Sequence, residues 1–210
     1  MRGDVPDTGP PAISATERID RRRGKGDANR DAIVAAAADL FWRKGYAQTT
    51  LGSVAQAAGI PPGNLFYYFR TKADLAFAVA DIFVAETQAM LHDTEHEEAE
   101  PRKRLAALVA RLARSLRSRV AHGCPIALCV RDFRSSAPEA SDRAAEAFTM
   151  LIQFMARELG RSGLRPSIAL GQSRAALAEW QGGMMLAHAM KDATVLSESF
   201  RRMDRLLAGH

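Results

Sequence analysis

Four residues near the end of the first third of the chain carry groups that can grip and read a nucleic acid. Gly63 and Asn64 fall at the start of a short helix expected over about 62–69. Asn64 has both a donor and an acceptor, so it can read adenine or hold a phosphate. Tyr67 and Tyr68 end the same helix with hydroxyls that can reach phosphates. The preceding residues supply the support such a helix needs. Thr50 can cap a helix over 51–58 that turns Val54, Ala55 and Ala58 inward, and Gly59 allows a turn with positive φ. Ala55 is small enough for close approach, and Leu65, six residues beyond Gly59, plugs the angle between the helices. This is the pattern of a helix-turn-helix, which presents its second helix to the major groove. Two small packed helices with no DNA role are the alternative on these residues alone. Phe66 and Phe69 are expected in the core.

Other reactive residues form weaker patterns. His92-Asp93-Thr94-Glu95-His96 matches the form His-x-x-Glu-His of some zinc peptidases. It lies in an acidic stretch that ends at Pro101 and brings no evident third ligand, so a solvated helix end is expected. Cys124 and Cys129 are five apart, about 140° around a helix, and do not make a same-face pair. Buried free thiols are expected, with thiol-based sensing at Cys124, beside His122 and a helix start, as the alternative. No glycine-rich phosphate loop or Ser/His/Asp constellation stands out. The chain is therefore read as no enzyme, with no catalytic residue, no metal site and no cofactor. A zinc hydrolase and a purely structural or interaction protein are the competing classes.

The elements that position these residues are all helical. Residues 1–26, with Pro6, Pro10 and Pro11, read as a disordered basic arm. Its arginines either form a solvated tail, which is favoured, or enter a minor groove. Ile33, Ala37, Leu40 and Phe41 set a first helix over 28–44, stopped near Gly45. After the two short helices, Thr71 caps a long fourth helix carrying Leu75, Val79, Ile82, Phe83 and Met90. Pro101 opens a fifth, with Leu105, Leu108, Val109, Leu112 and Leu116 on one face, and a short sixth runs from Pro125 to Phe133. Ser136-Ala137-Pro138-Glu139 has the form of a capping box before a seventh helix that ends at Gly160. Helix eight follows Pro166, about 167–191, and Thr194 can cap a ninth. The expectation is an all-α fold of about nine helices, with no strand alternation. A helix-turn-helix domain over 27–75 precedes a larger helical domain over 76–210.

Composition sets the outer limits. The chain has 210 residues, 47% of them hydrophobic, enough for a small domain and a larger partner. No continuous apolar run approaches the roughly 18 residues a bilayer requires. The start is polar, and two cysteines make no disulfide framework. These features are read as a cytoplasmic protein with no membrane partner. Net charge is +5. Residues 1–75 hold 11 Lys/Arg and 8 Asp/Glu, a surplus of 3, and Arg21, Arg22, Arg23, Lys25 and Arg30 cluster there. That permits an anionic partner without demonstrating one.

The run Gly59-Ile60-Pro61-Pro62-Gly63-Asn64-Leu65-Phe66-Tyr67-Tyr68-Phe69-Arg70-Thr71-Lys72 resembles the recognition-helix signature of the TetR family. Ala35 to Phe41, Gly45-Tyr46 and Thr49-Thr50 are similar to that family's first helix and second-helix cap. His122-Gly123-Cys124-Pro125-Ile126 resembles a segment of one TetR subgroup that also favours Pro-Pro-Gly-Asn. The resemblance is strong over about 28–75 and weaker beyond. Pro61, Pro62, Tyr68 and Arg70 depart from the commoner pattern, so an operator sequence cannot be carried over.

The resemblance implies a homodimeric transcriptional repressor that binds double-stranded DNA at a palindrome and is released by a small effector. It implies phosphate contacts from Thr50 and Lys72. The remaining chain resembles a ligand-binding and dimerisation domain. A pocket for a small apolar or aromatic effector is expected near Phe83, Phe133, Phe148, Trp180 and Met184. Helix eight is apolar around much of its girth, and Gly182 and Gly183 are expected to let a dimer mate approach. The seam Leu196–Phe200–Met203–Leu207 of the last helix is expected in the same interface, a four-helix bundle with the symmetry mate.

Overall fold

The computed structural model describes the backbone of residues 15–114 and 116–208, and side chains from Gly26 onward within those ranges. Its elements are α1 (Ala15–Lys44), α2 (Leu51–Ala57), α3 (Pro62–Tyr68), α4 (Lys72–Glu97), α5 (Pro101–Ala113), α6 (Leu116–His122), α7 (Pro125–Phe133), α8 (Pro138–Arg161), α9 (Pro166–Met190) and α10 (Ala193–Ala208). The fold is all-α. Residues 1–14 of the expected arm lie outside the described residues. Residues 15–26 belong to α1 instead of an irregular arm. The arm's three prolines all precede residue 15, and the stretch that follows is rich in Arg, a good helix former, which carries the helix through Gly24 and Gly26.

Helix boundaries follow local chemistry. Thr50 accepts from Ser53 N at 3.1 Å while Ser53 Oγ accepts from Thr50 N at 3.1 Å. Thr71 and Asp74 make the same reciprocal pair at 3.0 Å each way. Proline stands at the first helical position of α3, α5, α7, α8 and α9, where its missing N–H costs nothing. Three details differ from the sequence reading. The fifth helix stops at Ala113 and resumes as α6, so Leu116 starts a separate element. The capping box at 136–139 does not form, because α8 has Ala137 as its N-cap and no side-chain bond there. Asp192, not Thr194, caps α10: its carboxylate accepts from Thr194 N at 2.8 Å and Thr194 Oγ1 at 2.7 Å. Those bonds hold the Asp192 carboxyl below its ordinary range.

Two apolar cores divide the chain. The first joins α1–α3 and the first part of α4 to Cys129 and Phe133 of α7 and Ala140 and Ala144 of α8. The second joins the end of α4 to α5, α8, α9 and α10. α4 runs through both and packs along α8. It is the one described helix long and apolar enough to cross a membrane, and half of the relevant stretch is buried in the fold, as expected of a central core helix. Glu158 of α8 is fully buried and bonds Arg104 of α5 at 3.1 Å and Arg161 at 2.7 Å. That carboxylate ties the two helices with its charge compensated.

The expected dimer seam is interior to the chain. Leu196, Phe200, Met203 and Leu207 are all buried in the second core. Their spacing marks the face of α10 that covers α9 and α5, so no mate is needed to bury them. Gly183 belongs to the same packing. A Cβ on it would overlap Cβ and Oγ of Ser199, so its lack of a side chain brings α9 against α10 within one protomer. Gly182 faces outward, with no atom near where a Cβ would stand.

Candidate nucleic-acid interface

The second and third helices meet through Gly59, at φ +67°, and Ile60 N, which donates to Ala55 O at 3.0 Å. Only a residue tolerant of positive φ makes this turn cheaply. Val54, Ala55 and Leu65 are fully buried at the angle between the helices, as their spacing predicts. Leu65 and Phe69, four apart, anchor α3 and its C-cap from below. The opposite side of α3 is then fixed by helical geometry.

That side holds Gly63, Asn64, Phe66 and Tyr67, all exposed. Tyr67 is 86% exposed, an unusual degree for an aromatic ring. The space around Gly63 is open, so packing does not require glycine there, and its bare backbone lets another surface come close. Phe66 is 55% exposed, which corrects its expected place in the core. It follows Leu65 by one residue, about 100° around the helix, and so leaves the buried stripe. The i, i+4 pairing of Leu65 with Phe69 was the signal that could have found it.

The other site residues are positioned by neighbours. Thr50 is exposed at the N-terminus of α2, and its oxygen already accepts from Ser53, leaving its O–H to donate outward. Tyr68 is half-buried and its hydroxyl lies 3.4 Å from the Asn29 side-chain nitrogen, which ties it to α1. Lys72 opens α4 with its ammonium 4.2 Å above the Tyr46 ring and 3.4 Å from the Ala47 carbonyl. Partial burial lowers the Lys72 pKa from its ordinary value. Arg30 lies 5.4 Å over the Phe69 ring on the α1 side of the domain. Asn29 was missed by the sequence reading, and Arg30 and Tyr46 were named there without these contacts, because their role appears only when α1 and the turn after it meet α3 and α4.

The residues expected to line one pocket do not come together. Phe133 is fully buried, edge-on to Phe41 at 5.7 Å and to Tyr46 at 5.0 Å, and Phe83 lies in the same first core. Phe148, Trp180 and Met184 belong to the second core, where Trp180 lies 6.4 Å from Phe200. Of the five, Met184 lines an open cleft between α7 and α9. The helical spacing identified them as apolar and inward, but could not distinguish the two cores.

The histidine pair sits at the exposed end of α4, its rings 4.0 Å apart and His96 Nδ1 2.9 Å from the His92 carbonyl. Among the described residues no group of three or more His, Cys, Asp or Glu could hold a metal. Cys124 and Cys129 are both free and buried. Cys124 caps α7, accepting from Ala127 N at 3.4 Å. Burial first, then the nearby Asp132 and Cys124, pushes the Cys129 thiol up to about 12.

Comparison with known proteins agrees with this architecture. Residues 33–79 match the bacterial regulatory proteins of the tetR family, and residues 101–201 match the C-terminal domain of LmrA/YxaF-like transcriptional regulators. An uncharacterised HTH-type regulator in the lacX 3' region of Lactococcus lactis subsp. lactis is 23% identical over 174 residues, 81% of this chain and 89% of that one. The regulator RutR of Escherichia coli K12 is 35% identical over 83 residues, 38% of this chain and 39% of its own length. TtgR of Pseudomonas putida is 33% identical over 63 residues, 30% of each chain. The chain thus spans only about a third of the length of these last two relatives. Two solved structures share the fold: a TetR regulator from Legionella pneumophila, TM-score 0.74 at 21% identity over 83% of this chain and 94% of that one, and one from Agrobacterium tumefaciens, TM-score 0.71 at 22% identity over 85% and 97%. These relatives are transcriptional regulators, not enzymes.

Proposed function

We propose that this chain, a member of the TetR family of DNA-binding transcriptional regulators, is a ligand-released repressor that binds a palindromic operator as a homodimer. The observation that carries the reading is the outward face of α3. Leu65 and Phe69 anchor the helix, while Gly63, Asn64, Phe66 and Tyr67 stand exposed on it. Thr50 and Lys72 flank that face from the starts of α2 and α4, where backbone N–H groups favour phosphates. Asn64 serves as the base reader and Tyr67 as the phosphate contact.

A second feature supports the dimer. Along α9, Ile168, Gly171, Ala175, Ala178, Gly182, Met185 and Ala189 recur every three or four residues on an outward face, with Leu186 and Met190 beside them. Met185 is 66% exposed and Met190 63%. Small residues between apolar ends allow two copies of α9 to approach closely. A dimer would set two recognition helices about one DNA turn apart, matching a palindrome. Effector binding in the C-terminal domain would favour a tilt of α4 that spoils this spacing, and DNA would weaken effector binding by the same factor. Such a protein works where the chromosome is, in the cytoplasm. Genomic fragments selected on the purified protein and then footprinted test the reading. A protected site with two-fold symmetry is expected; failure to protect any fragment would sink it.

A further inference from the structure

A cleft of about 640 Å³ opens between the start of α7 and the second half of α9. That is within the roughly 300–1,000 Å³ usual for small-molecule sites. Ala127 and Leu128 form one wall, Met184 and Met185 the other, and Gly123 and Cys124 close one end. The cleft is mostly apolar, but its polar groups are one-sided. The Gln181 side-chain nitrogen is buried there without a hydrogen-bond partner, an orphaned donor of the kind a ligand acceptor would satisfy. Arg131 is the one cationic side chain on the lining, and no carboxylate lines it. Asp132 meets Arg131 through a single oxygen at 2.8 Å, which engages one edge of the guanidinium.

The end of this cleft is also the joint with the DNA-binding domain. Trp42 Nε1, near the end of α1, donates to the Gly123 carbonyl at 3.1 Å. The Trp42 and His122 rings meet edge-on at 5.4 Å, and Arg43 lies 3.4 Å from the His122 ring nitrogen. Asp132, at the far end of α7, accepts from Tyr46 N at 3.4 Å. The opposite wall is held to α6 by His188 Nδ1, 3.0 Å from the Val120 carbonyl. A molecule entering the cleft would wedge α9, which is tied to α6, away from the turn 122–124 and α7, which are tied to the end of α1 and the turn after it. A displacement there would be delivered to Trp42 and the Gly45–Tyr46 turn, five to nine residues before α2.

We propose that this α7–α9 cleft is the effector site, that it takes a small apolar carboxylate, and that occupancy reaches the reading head through the Gly123–Trp42 hydrogen bond. The apolar walls hold the body of the ligand, and Gln181 and Arg131 receive its carboxylate. Gly182 and Met185 lie on both the cleft and the outward stripe of α9, so a dimer mate would roof the open side. The inference rests on the reading of the chain as a ligand-released DNA binder, but the site and its coupling can be measured separately from that reading.

The test uses the full-length protein and three probes: sodium cinnamate, 4-phenylbutyrate and octanoate, with cinnamyl alcohol as the uncharged control. Calorimetry should show one site per chain for at least one carboxylate, with the alcohol at least fivefold weaker. Ala127→Trp should fill the cleft and weaken that affinity at least tenfold. Ala127→Phe, a smaller filler on the α7 wall away from the α9 stripe, should do the same should the tryptophan variant fail to fold. Trp42→Phe should bind the carboxylate within twofold of the parent, yet lose most of the carboxylate's effect on affinity for a selected genomic fragment. No binding of any of the three carboxylates at 5 mM overturns the site. So does a change in dimer dissociation on filling the cleft with no carboxylate bound, which would assign the cleft to the mate. Carboxylate binding with an undiminished DNA response in Trp42→Phe overturns the coupling. A parent protein that binds the carboxylate but no genomic DNA would instead strike the regulator reading.

Discussion

Gly183 of α9 and Ser199 of α10 touch so closely that a methyl group on the glycine would occupy the space of the serine side chain. Ser199 Oγ also donates to the Glu179 carbonyl at 2.6 Å, one turn earlier on α9, which fixes the serine in place. Gly183→Ala should therefore destabilise the protein by about 1–3 kcal/mol through overpacking. Gly182→Ala, facing open space one residue away, should be neutral or slightly stabilising because alanine is the better helix former. Urea denaturation of both variants decides the matter. Equal effects at the two glycines would refute the close approach.

The buried seam of α10 and the exposed stripe of α9 make opposite forecasts. Met203 is fully buried, so Met203→Ala should cost about 2–5 kcal/mol. Phe200→Asp with Met203→Asp should abolish the fold, because two charges would enter the second core unpaired. Met185→Asp with Met190→Asp should leave helicity unchanged and shift sedimentation from dimer to monomer. A folded, monomeric Phe200/Met203 double variant would restore the seam to the interface and contradict the burial.

The sequence reveals periodicity better than it reveals partners. Leu196, Phe200, Met203 and Leu207 are recognisable as a buried face of a helix, but the pattern is the same whether α9 or a symmetry mate covers it. Phe133 and Trp180 illustrate the same limit: both are inward-facing aromatics, yet they enter different cores. The helix-turn-helix was far more legible. Its geometry depends on local spacing, with Gly59 at the turn, Ala55 beside it and Leu65 in the angle, so few long-range choices remain. Where long-range contacts do matter there, as between Asn29 and Tyr68, the spacing was silent.

The surroundings of each side chain on α3 grade its effect on DNA. Asn64→Ala should change base preference and lose about 1–3 kcal/mol at the preferred site, provided it makes a bidentate base contact. Tyr67→Phe should weaken binding to all sequences and reduce its salt dependence little, because a hydroxyl releases no counterion. Tyr68→Phe should matter less, since its hydroxyl already meets Asn29. Lys72→Ala should lower the salt slope by about 1 and weaken binding uniformly. Polarisation titrations across salt concentrations read all four. A Tyr68→Phe loss as large as that of Tyr67→Phe would reverse the assignment of the phosphate contact.

The two thiols should separate by reactivity. Cys129 is held by burial with its pKa at about 12, against an ordinary value of 9.0. Its thiolate is therefore scarce in the folded protein at pH 8.5, and its burial blocks reagents as well. A small disulfide reagent at that pH should label at most one cysteine per folded chain, at Cys124 where it meets the cleft, and both after unfolding. Linkage gives a second consequence. The raised folded pKa means that the unfolded chain releases its Cys129 proton first as pH rises. Stability attributable to Cys129 is thus fully present below about pH 9 and falls as pH climbs toward 12. Cys129→Ala should remove this contribution, so the difference in unfolding free energy between parent and variant should shift toward the variant between pH 8 and 10. Equal labelling of both cysteines in the folded protein, together with a pH-independent difference, would show that Cys129 is neither buried nor raised.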